Sequence, residues 1–158
     1  MSEPNQIVTF KINERDVSAV AGQTILEVAR ENGIGIPTLC FLKGLTPIGA
    51  CRMCLVEIKG QTKLLPACVT RVAEGMDITT DSPRLQEYRK TIIELLFAER
   101  NHVCAVCVSN NNCELQDMAR SLGVTHIRVP YRYPRLQVDA SHSRFSADHN
   151  RCILCARC

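Results

Sequence analysis

The sequence predicts an α+β chain, and three observations predict it. The amino-terminal stretch is β-rich around an internal turn, one short amphipathic helix leads back into strand, and ten cysteines fall into three spaced groups. The 158 residues suffice for one ordinary domain or for two or three small ones with thin hydrophobic cores. Bound groups would then have to help hold the small ones together.

The hairpin comes first. Ile7-Val8-Thr9-Phe10-Lys11-Ile12 is rich in strand formers, Asn13-Glu14 offers a turn, and Arg15-Asp16-Val17-Ser18-Ala19-Val20 returns. After Gly22, residues 24–32 place Ile25, Leu26, Val28 and Ala29 on one helical face, with Gly33 positioned for a left-handed cap. A Gly- and Pro-containing loop runs to Cys51, residues 54–59 resume a strand, Gly60 turns, and Lys63-Leu64-Leu65 pairs back. Strands around a single helix with a cysteine loop between them make a small mixed sheet of the ubiquitin-like, β-grasp kind, spanning 1–80.

Asp81 or Ser82 can cap, and Pro83 can open, a helix over 83–99 whose apolar stripe is Leu85, Tyr88, Ile92, Leu95 and Leu96. It reads as a packing helix in a second, helical domain over 81–123. A further helix over 114–122 stops at Gly123. Residues 124–158 are a connector without a clean period, followed by the start of another module.

Several function classes are excluded or weakened. The longest apolar stretches, such as Leu95-Leu96-Phe97-Ala98, are far short of the roughly 20 residues a membrane span needs. A net charge of +3, with no basic stripe among aromatics, gives nucleic-acid binding little support. Gly33-Ile34-Gly35 lacks a third glycine and follows a helix, so it is no dinucleotide fingerprint. The polar opening Met1-Ser2-Glu3-Pro4-Asn5-Gln6 has no apolar run behind it, so a secretory signal is not expected and the chain is expected in the cytoplasm. There thiols stay reduced, and Cys-x-x-Cys pairs mean metal or redox chemistry rather than disulfides.

Cys40, Cys51, Cys54 and Cys68 are separated by ten, two and thirteen residues, and Gly49-Ala50 precedes the close pair. Four soft thiolates can hold the two irons of a 2Fe-2S cluster, and small residues let backbone N–H groups approach its sulfides. The competing readings are a zinc site, which prefers two close pairs, and four unconnected buried thiols. His102, Cys104, Cys107 and Cys113 stand just before the second helix and could hold a 4Fe-4S cluster. A neutral imidazole in place of a thiolate would raise its potential, as histidine ligation does in Rieske centres. The alternative for His102 is a polar surface histidine.

Cys152, Cys155 and Cys158 form Cys-x2-Cys-x2-Cys, the start of a bacterial ferredoxin run that continues with a fourth Cys and Pro. The three groups exhaust the ten cysteines, so this last 4Fe-4S site is incomplete, and a continuation with Cys four residues after Cys158 is expected. His126, His142 and His149 lack cysteine neighbours in the same group spacing and read as surface or hydrogen-bonding residues.

Ile36-Pro37-Thr38-Leu39-Cys40, Gly49-Ala50-Cys51-Arg52-Met53-Cys54-Leu55-Val56-Glu57, Leu65-Pro66-Ala67-Cys68, Glu94-Leu95-Leu96-Phe97-Ala98-Glu99-Arg100-Asn101-His102, Cys113-Glu114-Leu115-Gln116-Asp117 and Asp148-His149-Asn150-Arg151-Cys152 carry a resemblance. The chain is similar to the amino-terminal part of the large iron-sulfur subunit of complex I. It resembles more closely the diaphorase iron-sulfur subunit of NAD(P)-linked bidirectional NiFe hydrogenases.

The resemblance implies the same ligand sets: Cys40, Cys51, Cys54 and Cys68 for 2Fe-2S, His102, Cys104, Cys107 and Cys113 for 4Fe-4S, and Cys152, Cys155 and Cys158 for a further 4Fe-4S cluster. It implies NAD(P) and FMN on a partner subunit, a hetero-oligomer with hydrogenase subunits, no nucleic acid, and a cytoplasmic site or one peripheral to a membrane through partners. No catalytic residue is implied. Complex I subunits have three residues between the ligand His and the next Cys, whereas only Val103 separates His102 from Cys104, as in the hydrogenase-linked branch. Related alternatives are a subunit of NADH:quinone oxidoreductase, an iron-only hydrogenase or a formate dehydrogenase. An alternative from another class is a zinc-binding interaction module.

Overall fold

The computed structural model describes residues 6–158; the polar opening at 1–5, read above as lacking a secretory signal, lies outside them. The chain divides into two compact units, one comprising Met1–Glu87 with Ala156–Cys158 and the other Tyr88–Cys155.

In the first unit, β1 (Ile7–Ile12) and β2 (Arg15–Val20) form the expected hairpin, register Ile7 opposite Val20 through Ile12 opposite Arg15. Its two turn residues both take positive φ, Asn13 at 50° and Glu14 at 66°. A two-residue loop of this handedness matches the right-handed twist of the strands it joins. α1 (Ile25–Glu31) follows. Thr24 and Glu27 close a reciprocal capping box, of the kind that contributes about 0.5–2 kcal/mol. At the other end Gly33, at φ 70°, donates to Arg30 O and Ile34 donates to Ala29 O, a Schellman cap.

β3 (Leu55–Ile58), β4 (Leu65–Pro66) and β5 (Asp77–Thr79) complete a sheet ordered β2-β1-β5-β3-β4, in which only β1 and β5 run parallel. This is the mixed sheet wrapped on one helix that the sequence predicts. Its inward alternation, Val8, Phe10, Ile12, Val17, Ala19, Val56, Ile58 and Ile78, packs on Ile25, Leu26, Val28 and Ala29. Two details differ from expectation. The strand that returns after Gly60 is Leu65–Pro66 rather than residues 63–65, and β5 has no counterpart in the sequence reading.

α2 (Pro83–Glu99) has the expected bounds, and Ser82 Oγ accepts the Leu85 N–H at 3.2 Å as its cap. Its expected stripe is corrected: Tyr88 is 46% exposed and Leu95 51% exposed, whereas Arg89, Ile93, Glu94 and Ala98 are buried with Leu85. In the second unit the Glu94 carboxylate is taken by Arg128 Nε at 2.7 and 3.0 Å, which satisfies a charge that hydrophobic patterning assigns to solvent. α3 (Glu114–Ser121) ends at Gly123, φ 67°, in the same Schellman geometry as α1, with Val124 donating to Ala119 O. The connector contains a short hairpin of β6 (Val138–Asp139) and β7 (Ala147–Asp148) and a 3-10 turn at His149–Arg151. No helix among the described residues is long and apolar enough to cross a membrane.

Candidate metal centres

The first cysteine set is built by the sheet and α1. Cys54 and Cys68 belong to the hydrophobic core, one immediately before β3 and the other after β4, and Ala67 N–H donates to Cys54 O at 2.9 Å. The first N–H groups of α1, which have no partner inside a helix, are taken up by this segment: Ile25 donates to Thr70 O and Leu26 to Ala67 O. Cys68 is thereby clamped on the helix start. Cys40 follows a stretch fixed by Arg30, which lies 4.5 Å over the Phe41 ring and reaches Thr38.

Backbone N–H groups converge on this set. Cys40 N–H points at Cys51 Sγ at 3.4 Å, and the Met53 and Leu39 N–H groups also face that sulfur. Arg52 lies between the paired cysteines at φ 59°, the left-handed conformation that turns successive N–H groups toward one anion. Gly49 is at φ 63°, and a Cβ there would meet Val69 Cγ2 at 3.2 Å. Burial pushes the Cys68 thiol up to about 12, helped by the crowding of Cys54, Cys40 and Cys51. Burial also raises Cys51, while at Cys40 the donors from Cys51 and Ala50 outweigh burial and lower it. Four free thiols close enough to perturb one another, ringed by N–H donors, fit a 2Fe-2S cluster, whose irons would supply the positive charge this pocket lacks. Among the described residues no three His, Cys, Asp or Glu side chains meet where a single ion could sit. A cluster asks for less at each metal, because its ligands are shared among several irons.

The second set lies in the other unit. His102 lies edge-on to Phe97, with ring centroids 5.4 Å apart. One ring nitrogen hydrogen-bonds the Leu96 carbonyl, and Nε2 is buried with no partner among the described residues, so the bonded nitrogen is Nδ1. Burial, together with Arg151 and Arg100, lowers the His102 pKa despite the Leu96 carbonyl, which acts the other way. A ring oriented through one nitrogen with a bare lone pair on the other is what metal ligation needs. Cys104 Sγ faces His102 O at 3.5 Å in the 3-10 turn Cys104–Val106. The Ser109 N–H and the Arg151 guanidinium outweigh burial and hold the Cys107 thiol below its ordinary value, and Cys113 occupies the cap position of α3. The donors fit a 4Fe-4S cluster with one imidazole ligand.

Of the last triplet, Cys152 and Cys155 belong to the second unit and Cys158 to the first. Leu154 N–H points at Cys152 Sγ at 3.3 Å, and Leu154 and Ala156 are left-handed, at φ 54° and 53°. In the first unit the Arg157 guanidinium donates to Leu39 O, next to Cys40. The remaining histidines make local contacts: His126 with Thr125, and His142 stacked on Phe145 at 4.1 Å. His149 lines a cleft with Arg100, Arg135 and Cys152. Sequence reasoning missed the role of the Leu96 carbonyl, and it quoted Arg151 within a motif without giving it one.

A family model described as a 2Fe-2S iron-sulfur cluster binding domain matches residues 5–83. The chain belongs to this family. A second model, the NADH-ubiquinone oxidoreductase-G iron-sulfur binding region, matches residues 89–128. The chain is therefore an iron-sulfur protein, with a 2Fe-2S region followed by a 4Fe-4S region.

It is 36% identical over 151 residues to the gamma subunit of the NAD-reducing hydrogenase HoxS of Cupriavidus necator, across 96% of this chain and 64% of the relative. It is 38% identical over 156 residues to an NADH-quinone oxidoreductase subunit of Rhizobium meliloti, across 96% of this chain and 18% of that one. Among solved structures, a chain of an NAD+-reducing [NiFe]-hydrogenase in the H2-reduced state superposes with a TM-score of 0.88 at 38% identity, across 94% of this chain and 62% of that one. This 2Fe-2S family member thus spans under two thirds of each of these relatives. The resemblance and the β-grasp expectation read from the motifs are borne out.

Proposed function

We propose that this chain relays electrons between a flavin- and NAD(P)H-binding subunit and a NiFe hydrogenase within a hetero-oligomeric complex in the cytoplasm. The observation that carries the proposal is the pairing, in one chain, of a thiol set ringed by N–H donors with a histidine whose Nε2 is held bare. Similarity along nearly the whole chain to a hydrogenase gamma subunit supports the choice of complex.

In this reading Cys40, Cys51, Cys54 and Cys68 hold the 2Fe-2S cluster and His102, Cys104, Cys107 and Cys113 a 4Fe-4S cluster. Cys152, Cys155 and Cys158 contribute ligands to a further one. The functional segments are 1–80, 81–123 and 124–158. When bound, the clusters accept and release single electrons. The chain's residues orient the ligands, exclude water around Cys54 and Cys68, and stabilise sulfur charge with backbone N–H groups. No proton or group transfer is asked of the chain, and NAD(P) and FMN belong to the partner.

The match of residues 89–128 to an iron-sulfur region of NADH-ubiquinone oxidoreductase favours a second reading, a subunit of an NADH:quinone oxidoreductase. Anaerobic purification, with iron, acid-labile sulfide and zinc assays and electron paramagnetic resonance before and after dithionite, tests the relay. Iron, sulfide and a rhombic signal lost in Cys51→Ser are expected. Stoichiometric zinc without sulfide would overturn the relay in favour of an interaction module. Identification of the co-purifying subunits separates hydrogenase from quinone reductase.

A further inference from the structure

Between Cys107 and Cys113 lies the stretch Val108-Ser109-Asn110-Asn111-Asn112, all of it exposed. Two turns fold it: Asn110 N–H donates to Cys107 O and Asn112 N–H to Ser109 O, each at 3.0 Å, and Asn111 takes the left-handed region at φ 66°. Exposed turns without buried apolar contacts open easily, so core packing does not fix how the two cysteines are held.

Gln116 supplies the missing restraint. It stands in the first turn of α3, beside Leu115 and one turn before Ala119, which are buried and seat the helix. Its Oε1 accepts the Asn111 N–H at 3.0 Å, and its Nε2 donates to Asn110 Oδ1 at 2.9 Å. A backbone N–H can only donate, so this amide has one orientation and not its flipped alternative. One side chain thus fastens both residues at the tip of the loop to the helix that follows Cys113. Cys113 itself gives α3 no side-chain cap bond, so the helix end does not engage its thiol. Gln116 and Asn111 also line a cavity of about 350 Å³ with Phe97, Cys104, Ala119 and Arg120, and Arg120 is paired with Asp117 at 3.0 Å. The staple and Cys104 therefore share one cavity wall.

We propose that Gln116 is a positioning residue for the centre assigned to His102, Cys104, Cys107 and Cys113. By fixing Asn110 and Asn111 on α3 it orders Cys107 and Cys113 before a cluster binds and limits opening of the loop afterwards. This rests on the ligand reading given above. Ligands on an ordered backbone lose less entropy on binding, and a loop tied at its tip releases its metal more slowly.

The test is iron release from the complete, anaerobically purified protein to bathophenanthroline disulfonate, with paramagnetic resonance of the reduced centres. Gln116→Leu removes both bonds at similar volume. Iron of this centre is expected to leave about tenfold faster, as the loss of two ordinary hydrogen bonds allows. Its resonance broadens from a spread of ligand geometries, and the 2Fe-2S centre keeps its signal. Gln116→Glu is the rescue: it keeps the acceptor for Asn111, and the exposed Asn110 amide can turn to donate. Release then returns to near the native rate, while the added carboxylate on the cavity wall lowers the reduced-to-oxidised ratio of the centre at fixed ambient potential. A residue that only stabilised α3 would produce neither the broadening nor that shift. Native release and line shape in Gln116→Leu overturn the proposal, as does release in Gln116→Glu as fast as in Gln116→Leu. Should Gln116→Leu fail to fold, Asn110→Ala decides, because it removes the Nε2 bond from an exposed loop. Faster release then supports the proposal and native release overturns it. Failure of the ligand reading looks different: Cys107→Ser would leave the signal and iron of the centre intact.

Discussion

The His102 ring donates from Nδ1 to the Leu96 carbonyl of α2, and its Nε2 is buried without a partner among the described residues. Helix and ligand candidate are thus one rigid unit, and the unused lone pair has a fixed direction. His102→Leu removes the donor and is expected to lose the iron of one cluster while the 2Fe-2S signal persists. His102→Cys adds a thiolate charge, so iron is retained but the potential of that centre falls. Iron analysis and a redox titration check both.

Gly49 approaches Val69 while adopting φ 63° beside the paired cysteines. Gly49→Ala puts a Cβ into the left-handed region, at about 1–2 kcal/mol, and against Val69 Cγ2 at 3.2 Å. Lower 2Fe-2S occupancy and a lower melting temperature are expected. Adding Val69→Ala relieves the contact but not the dihedral strain, so recovery is partial. Visible absorbance per chain and calorimetry measure it.

Asn13 ties the β1–β2 turn to the end of β5, Nδ2 donating to Thr80 Oγ1 at 2.7 Å and Oδ1 accepting Thr80 N–H at 2.9 Å. Thr80 is buried, so truncating the amide strands its donor. Asn13→Ala is expected to destabilise the first unit by about 2–3 kcal/mol, combining two lost hydrogen bonds with a disfavoured positive φ. Asn13→Gly, which tolerates that φ, costs less. Chemical denaturation of the two variants separates the contributions.

Glu74 accepts from Thr9 N–H at 2.8 Å and from Thr9 Oγ1 at 2.6 Å, and these bonds lower its pKa. A carboxylate depressed in the folded state contributes stability above its ordinary value of 4.5 and loses it as pH falls through the lower folded value. The contribution is small because the group is solvent-exposed. The melting temperature of the native protein over that of Glu74→Gln is expected to be greater near neutrality and to shrink on acidification.

Much of the site's chemistry was legible because cysteine spacing is a local property of the chain, and the three groups, with the motifs around them, pointed to clusters without any knowledge of packing. The hairpin and three helices were legible for the same reason. A two-residue turn at Asn13-Glu14 and glycines at positions 33 and 123 act on their immediate neighbours. What was lost to the sequence depended on partners far along the chain. β5 is three residues long and exists because it pairs with both β1 and β3. The buried side of α2 carries Arg89 and Glu94, at 2% and 5% exposure, against the rule that charge faces water. Arg128 reverses that rule by neutralising Glu94 from 34 residues away.

The sequence by itself supplied the candidate ligands proposed here: ten thiols and one histidine at fixed intervals. Tertiary structure alone decided how those atoms are presented. The left-handed Arg52, the Leu96 carbonyl on His102 and the Asn150 side chain on the Leu136 backbone are each set by the folded backbone around them. Spacing records only covalent distance, whereas orientation and charge at a sulfur depend on groups brought up through space.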